Sequence, residues 1–432
     1  MGKKSGKDHT RTTAITPASL ASTLTSFSSS PAAAKYYAHL HRAPDAHTLR
    51  VFDVLSGKCV SRWASEEGDK VACVAWAGVP GKKAAAADEG EDASKRGKKR
   101  RKSDSAAAGD EPVVLKDAEA TLVLALGMED GSIVLWTPTG TDTAGTKLAH
   151  STSTAPVTAL SSPQTADREP AGHLWSAHAD GSVLYWDLTT DSLIGKLTGH
   201  LDAKSTASWD DLAVRYVGTV GEGRKRKYAA ELVLARKSIR VFALDVPTAK
   251  KDAIREAKAT ELAKCTGHVG ETFLQWLDPA PSASAMADDD EDAPLAFVSF
   301  SPTDRFVQVW SIPSSPSATS VPGTLLSRFA LDSPVQSIAL ASTTLAAVDS
   351  EGKASVGTVD LAPSEPKAKG VRTIKVESSI DGPVSRVAFG AEGSLRVCRA
   401  GVKPAFELVV RPFSLSAFEN LGADLISAAE LD

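Results

Sequence analysis

The sequence predicts an all-β fold built from repeated four-stranded units, and three observations predict it. Outside a few polar inserts the chain is made of short Val/Ile/Leu/Thr runs punctuated by Gly, Pro, Ser and Asp, where a helix-rich chain would lean on Leu, Glu, Lys and Ala. A turn followed by an alternating run recurs along the chain: LRVFDVLSGKCVSRW over 49–63, GSIVLWTPTGT from Gly131, GSVLYWDLTTDSLIGKL from Gly181, KSIRVFALDV from Lys237, RFVQVWSI from Arg305, GKASVGTVDL from Gly352 and GSLRVCRAG from Gly393. The equivalent positions Asp53, Thr137, Asp187, Phe242, Trp310, Val359 and Val397 recur at tighter intervals of about 40–55 residues, near the ~40–45 of one propeller blade. The two long intervals, Asp53 to Thr137 and Phe242 to Trp310, each contain an insert. A repeated hairpin of this kind signals a seven-bladed β-propeller, whose stacked blades make one ring from a chain otherwise long enough for two or three domains.

The elements follow in order. Residues 1–30 are rich in Ser, Thr and Ala without a period and read as a flexible lead; 31–415 read as the propeller and 416–432 as a C-terminal tail. VACVAWAG from Val71, PVTALSS from Pro156, ETFLQWL from Glu271, PVQSIALA from Pro334 and PVSRVAFG from Pro383 read as inner strands. TLVLALGMEDGSIVLW, LWSAHADGSVLYW and TLAAVDSEGKASV then supply the next two strands of their units. Residues about 80–112, PGKKAAAADEGEDASKRGKKRRKSDSAAAGDEP, hold almost no bulky apolar side chain and are expected to be a disordered loop, as is the acidic PAPSASAMADDDEDAP at 279–294. GEGRKRKYAA from Gly221 reads as a short basic hairpin tip.

Bulk composition bounds the function. Of the 432 residues 42% are hydrophobic and 24% charged, ordinary for a soluble folded protein. A net charge of -4 excludes a uniformly basic nucleic-acid binder. Cys59, Cys73, Cys265 and Cys398 form no CxxC pair and read as reduced thiols rather than zinc ligands. No apolar run approaches the ~18 residues of a membrane span, and the basic N-terminus lacks the apolar core of a secretory signal. The expected compartment is therefore cytosol or nucleus.

The motifs carry scaffolding rather than chemistry. Neither GxSxG nor HExxH nor a GxxxxGK[ST] phosphate loop occurs, and Gly78, Gly81 and Lys82 have the wrong spacing for the last. The acids of 288–292 read as solvated charge. No enzyme activity, cofactor or metal is expected, no small-molecule substrate and no membrane. Gly199-His200 followed by later aromatic-acid pairs, clearest in Trp186-Asp187 and degenerate in Phe52-Asp53, Trp136-Thr137 and Trp310-Ser311, resembles the WD-repeat family. That resemblance implies a buried hydrogen-bonded network, for which Asp130, Asp180, Trp186, Asp187, His200 and His268 are the structural candidates. KRGKKRRK (Lys95, Arg96, Lys98, Lys99, Arg100, Arg101, Lys102) reads as a nuclear-import signal, an RNA-phosphate contact or a solubilising loop. Ser103 and Ser105 beside it are candidate phosphorylation sites. Arg224, Lys225, Arg226 and Lys227 are the candidate contact to RNA or a protein partner.

Taken together, LRVFDVLSGKCVSRW, VACVAW, the insert with KKRRKSD, LALGMEDGSIVLW, LWSAHADGSVLYWDLTTDSLIGKLTGH and ARKSIRVFALD with a second TGH look like the Utp five-like WD-repeat subunits of the UtpA (t-UTP) subcomplex of the small-subunit processome. The likeness is strong over 49–277 and weaker beyond. It implies a nucleolar scaffold in ribosome biogenesis that joins other UtpA-type propeller and helical subunits on nascent pre-rRNA near the 5′ external transcribed spacer. Such a scaffold supports rRNA transcription and 18S rRNA maturation. The family's C-terminal helical assembly domain has no counterpart in SAFENLGADLISAAELD, so partner binding is expected to fall to the propeller surfaces. The competing reading is a WD-repeat adaptor for a ubiquitin ligase or chromatin complex.

Overall fold

The computed structural model describes most of residues 36–427. Outside the description lie 1–35, 81–115, 139–144, 149–152, 164–171, 198–207, 221–226, 248–254, 278–294, 313–320, 360–371, 390–394, 400–404, 410–425, 428–432 and a few turn residues. The lead, both long inserts, the first TGH and most of the tail therefore lie outside the described residues.

All the described regular structure is β, in successive antiparallel meanders. The first is β1 (Tyr36–Arg42), β2 (His47–Asp53) and β3 (Cys59–Ala64). The second is β4 (Val71–Pro80), β6 (Ala120–Met128), β7 (Ile133–Trp136) and β8 (Thr146–Leu148), with β5 (Lys116–Asp117) on β6. The third is β9 (Val157–Ser161), β10 (His173–His178), β11 (Val183–Asp187) and β12 (Ser192–Leu197). The fourth is β13 (Asp211–Val220), β14 (Lys227–Ala235), β15 (Ser238–Pro247) and β16 (Arg255–Thr266), and parallel pairing of β12 with β16 joins it to the third. The fifth is β17 (Phe273–Trp276), β18 (Leu295–Phe300), β19 (Phe306–Ile312) and β21 (Thr324–Ala330), with β20 (Val321–Pro322) on β16. The sixth is β22 (Val335–Ala341), β23 (Thr344–Asp349), β24 (Ala354–Thr358) and β26 (Val376–Ile380), with β25 (Arg372–Thr373) on β21. The last is β27 (Val384–Phe389), β28 (Leu395–Arg399), β29 (Ala405–Val409) and β30 (Ile426–Ser427).

Alternation along each second strand binds neighbouring meanders together, because successive side chains leave opposite faces of a sheet. In β6, Leu122, Leu124 and Leu126 join Leu49, Val51 and Trp63 of the first meander. Val123 and Ala125 face the other way and join Val157, Leu174 and Leu184 of the third. In β14, Leu232 and Leu234 pack with Trp175 and Tyr185, whereas Val233 and Ala235 pack with Phe297 and Trp310. β18 and β23 repeat the device, Val298 and Leu345 meeting in one cluster, Ala346 and Val384 in the next. Six apolar clusters thus join consecutive meanders, so each meander from the second to the sixth is covered on both faces. At the far end the chain meets itself: Tyr37 of β1 hydrogen-bonds Cys398 of β28, with the buried Arg386 of β27 beside them.

The turns after β6, β10 and β23 share one design. Met128 N–H donates to Ser132 O at 2.9 Å and Gly131 N–H to Met128 O at 3.1 Å; His178, Ser182 and Gly181 repeat the pattern, as do Asp349, Lys353 and Gly352. The closing glycines sit at φ 83, 82 and 84, where a Cβ is strained. At Gly131 a Cβ would also lie 2.6 Å from Ala155 O, so no larger residue fits.

Two sequence expectations are corrected. GSLRVCRAG is the second strand of its meander, not the third: Val397 lies on β28, while Asp187 and Trp310 lie on third strands. The glycine at 393 belongs to the connection after β27, and without an aromatic marker the two kinds of turn look alike in sequence. The basic tip is also shorter than GEGRKRKYAA suggests, because Tyr228–Ala230 already pair with β13 and β15.

Candidate functional site

The best-defined polar site stands in the fifth meander and is built around Trp310. Its indole N–H donates to Ser299 Oγ at 3.0 Å; Ser299 Oγ lies 3.1 Å from His268 Nε2, and His268 Nδ1 lies 3.0 Å from Asp304 Oδ2. Trp310 comes from β19 and Ser299 from β18. His268 precedes β17, and Asp304 sits in the turn between β18 and β19. His268 N–H also donates to Thr272 Oγ1 at 3.3 Å. The imidazole is buried with both ring nitrogens engaged, so the arrangement fastens one strand connection to the next turn.

The third meander carries a variant. Trp186 Nε1–H donates to Ser176 Oγ at 3.0 Å, and Ser176 Oγ lies 3.0 Å from His178 Nε2. Here the histidine comes from the same strand as the serine, and its Nδ1 lies 3.1 Å from Ala155 O. Asp180 accepts from Ser182 N–H at 2.9 Å, Ser182 Oγ at 2.6 Å and Ser153 Oγ at 3.0 Å. Burial pushes its carboxyl up, but these donors outweigh it and hold the pKa below the usual carboxylate value. Asp130 accepts from Ser132 N–H at 2.8 Å and Ser132 Oγ at 2.5 Å in the second meander. Asp187 does a different job, seating the turn after β11 by accepting from Thr189 N–H at 2.8 Å and Thr189 Oγ1 at 2.5 Å. His200 lies outside the described residues.

Sequence reasoning missed Ser299 and Asp304, and Ser176 with His178, and marked Trp310 only as a degenerate repeat position. A signal was present: Asp130, Asp180 and Asp304 each stand six residues before a tryptophan, Trp136, Trp186 and Trp310.

Buried charges lie on and beside the inner strand β13. Arg215 of β13 meets Glu231 at 2.5 Å and stacks over Trp276 at 4.3 Å from the ring centroid. Burial pushes the Glu231 carboxyl up, opposed by Arg215. Asp211 accepts from Leu274 N–H at 2.8 Å and Leu212 N–H at 2.8 Å, and burial pushes its pKa up to about 7. His173, against Tyr216 Oη at 2.9 Å, is pushed down to about 4 by burial. Every one of these groups has a partner, and among the described residues no group of three or more His, Cys, Asp or Glu could hold a metal ion.

Of the basic candidates, Lys95 to Lys102 and Arg224 to Arg226 lie outside the described residues. Lys227 opens β14, in register with Val220 and Pro247. The inner strands nevertheless fix where these segments attach. β4 and β9 begin side by side, Cys73 Sγ lying 3.8 Å from Val157 O. β13 and β17 begin side by side through Asp210 Oδ2, which accepts from Thr272 N–H at 3.2 Å. Trp209, just before β13, donates to Gly181 O at 3.0 Å in the turn of the third meander. The inner strands therefore start on the face of the tight turns and finish on the opposite face. There Pro80 leads into the insert with Lys95 to Lys102, Val220 into Arg224 to Lys227, and β17 into the acidic segment.

No protein-family model matches the chain, and no curated protein matches it. Solved structures similar to it include a mitotic checkpoint complex chain (15% identity, 88% of each chain, TM-score 0.47). Others are the C-terminal WD40 domain of Sif2 (12%, 90% of this chain and 96% of that one, TM-score 0.43) and U3-55K (12%, 88% of each chain, TM-score 0.47). The described meanders and the Trp310–Ser299–His268–Asp304 network themselves define the class, an all-β protein of repeated antiparallel meanders.

Proposed function

We propose that the chain is a seven-bladed WD-repeat propeller acting as a non-catalytic scaffold in ribosome biogenesis, a nucleolar component of the small-subunit processome. In this reading it binds nascent pre-rRNA near the 5′ external transcribed spacer together with other UtpA-type propeller and helical subunits, and supports rRNA transcription and 18S rRNA maturation. The observation that carries it is the attachment of both basic segments to ends of inner strands on one face, β4 at Pro80 and β13 at Val220. Cationic segments that leave from strand ends on one face suit a polyanion, because phosphate contacts release counterions and strengthen as salt falls. Arg224, Lys225, Arg226 and Lys227 are the proposed contacts, and Lys95 to Lys102 the proposed import signal.

The test is recovery of RNA with tagged protein from growing cells, probed for the 5′ external transcribed spacer. Enrichment that falls in high salt and in a variant with Arg224, Lys225, Arg226 and Lys227 changed to Gln supports the reading. Recovery of ubiquitin-ligase or chromatin proteins without the spacer would replace it with the adaptor alternative.

A further inference from the structure

The first meander carries two arginines without counterions. Arg50 of β2 and Arg62 of β3 are exposed and face each other directly in the antiparallel register. His39 of β1 pairs with Arg50 on the other side, so the three side chains form one cross-strand row. Neither arginine makes an ion pair or hydrogen bond among the described residues. Directly opposed like charges destabilise a sheet, and a carboxylate at either position would relieve them. None stands on that face: by register its other positions include Tyr37, Thr48, Phe52, Cys59 and Ala64.

This face is the one turned toward the last meander. The other face of the same strands, with Leu49, Val51 and Trp63, packs on the second meander. Tyr37, on the arginine face, reaches Cys398. The seam between first and last meanders differs from the six others, because among the described residues no apolar cluster fills it. Its Tyr37–Phe52 pair is buried, while Arg50 and Arg62 next along the same face are exposed.

We propose that Arg50 and Arg62 bind the phosphodiester backbone of single-stranded RNA laid across this seam. Guanidinium groups one strand spacing apart can converge on a phosphate with bidentate geometry. Protein partners dock through apolar or aromatic anchors, and the described exposed large hydrophobics, Val217, Val269 and Val321, all lie on other meanders. The row thus offers charge without an anchor, which fits a nucleic-acid backbone better than an acidic protein. The inference rests on the reading of the chain as an RNA-associated scaffold, and adds a contact separate from the basic connections.

The purified full-length protein is titrated with a labelled single-stranded RNA of about 20 nucleotides, read by fluorescence anisotropy across a salt series. Two contacts at about 0.7 each make the salt slope of the Arg50→Gln/Arg62→Gln variant shallower by about 1.4, and its affinity in 0.1 M salt roughly tenfold or more weaker. Its melting temperature stays level or rises, since a repulsive pair is removed, which separates lost binding from lost folding. Unchanged affinity and slope would overturn the proposal, and if the Arg224 to Lys227 variant then still loses RNA, the scaffold reading survives alone. Loss of polyglutamate binding with RNA binding intact would assign the pair to an acidic protein and also overturn it. A wild-type protein that binds no RNA at all overturns the proposal together with direct RNA contact.

Discussion

Around Trp310, four side chains from four separate segments satisfy one another in a buried site, so each holds the others' geometry in place. His268→Ala would strand Ser299 and Asp304 at once, at an expected cost of about 2–4 kcal/mol, because a buried polar group left without its partner is charged its full desolvation. Ser299→Ala should cost a similar amount, and the double variant clearly less than the sum. Denaturant titration of the four proteins checks this; additivity within about 0.3 kcal/mol would mean the side chains do not act as a unit. At this scale the sequence was partly legible. The second TGH marked His268, whereas its acid partner lies 36 positions on and could be paired with it only through the fold. His178 was invisible as a network residue because it reaches Ser176 from the same strand. Asp187, half of the clearest WD pair, turned out to seat its own turn.

Elements were the most legible level. VACVAWAG, PVTALSS, PVQSIALA and PVSRVAFG are inner strands β4, β9, β22 and β27, because an alternating run entered from a turn has few alternatives. The last meander was misread by one strand, since its turn glycine follows β27 where others follow the second strand. Cross-strand facts such as the Arg50–Arg62 pairing were out of reach, because a bulge between Val51 and Phe52 sets that register and sequence spacing does not reveal it. The tight turns also couple neighbours: Ala155 O lies against Gly131 of the second meander and His178 of the third. Gly131→Ala should therefore destabilise by about 2–3 kcal/mol, combining left-handed strain with a backbone clash. Gly352→Ala, at φ 84, should cost about 1–2 kcal/mol from left-handed strain alone. A loss at Gly131 no larger than the about 1–2 kcal/mol of left-handed strain, read in thermal unfolding, would show that the Ala155 contact carries nothing.

For the whole molecule, strand direction separates two faces, one of tight turns and one receiving the long connections. If residues 95–102 carry import, deleting them should move a fluorescently tagged protein from nucleus to cytoplasm while leaving its melting temperature unchanged, since β4 and β6 pair without them. A tagged deletion that stays nuclear would assign import to a partner or to the N-terminal lysines. The seam at Tyr37 and Cys398 bears on how the molecule forms. Six junctions join segments close in sequence around apolar clusters, so they can assemble one after another as the chain emerges. The seventh brings together residues more than 350 positions apart, with a loop-closure entropy to overcome and little apolar surface to drive it. Closure then comes last in folding and opens first under stress, so in the native state amide exchange should be fastest along the strands flanking this clasp.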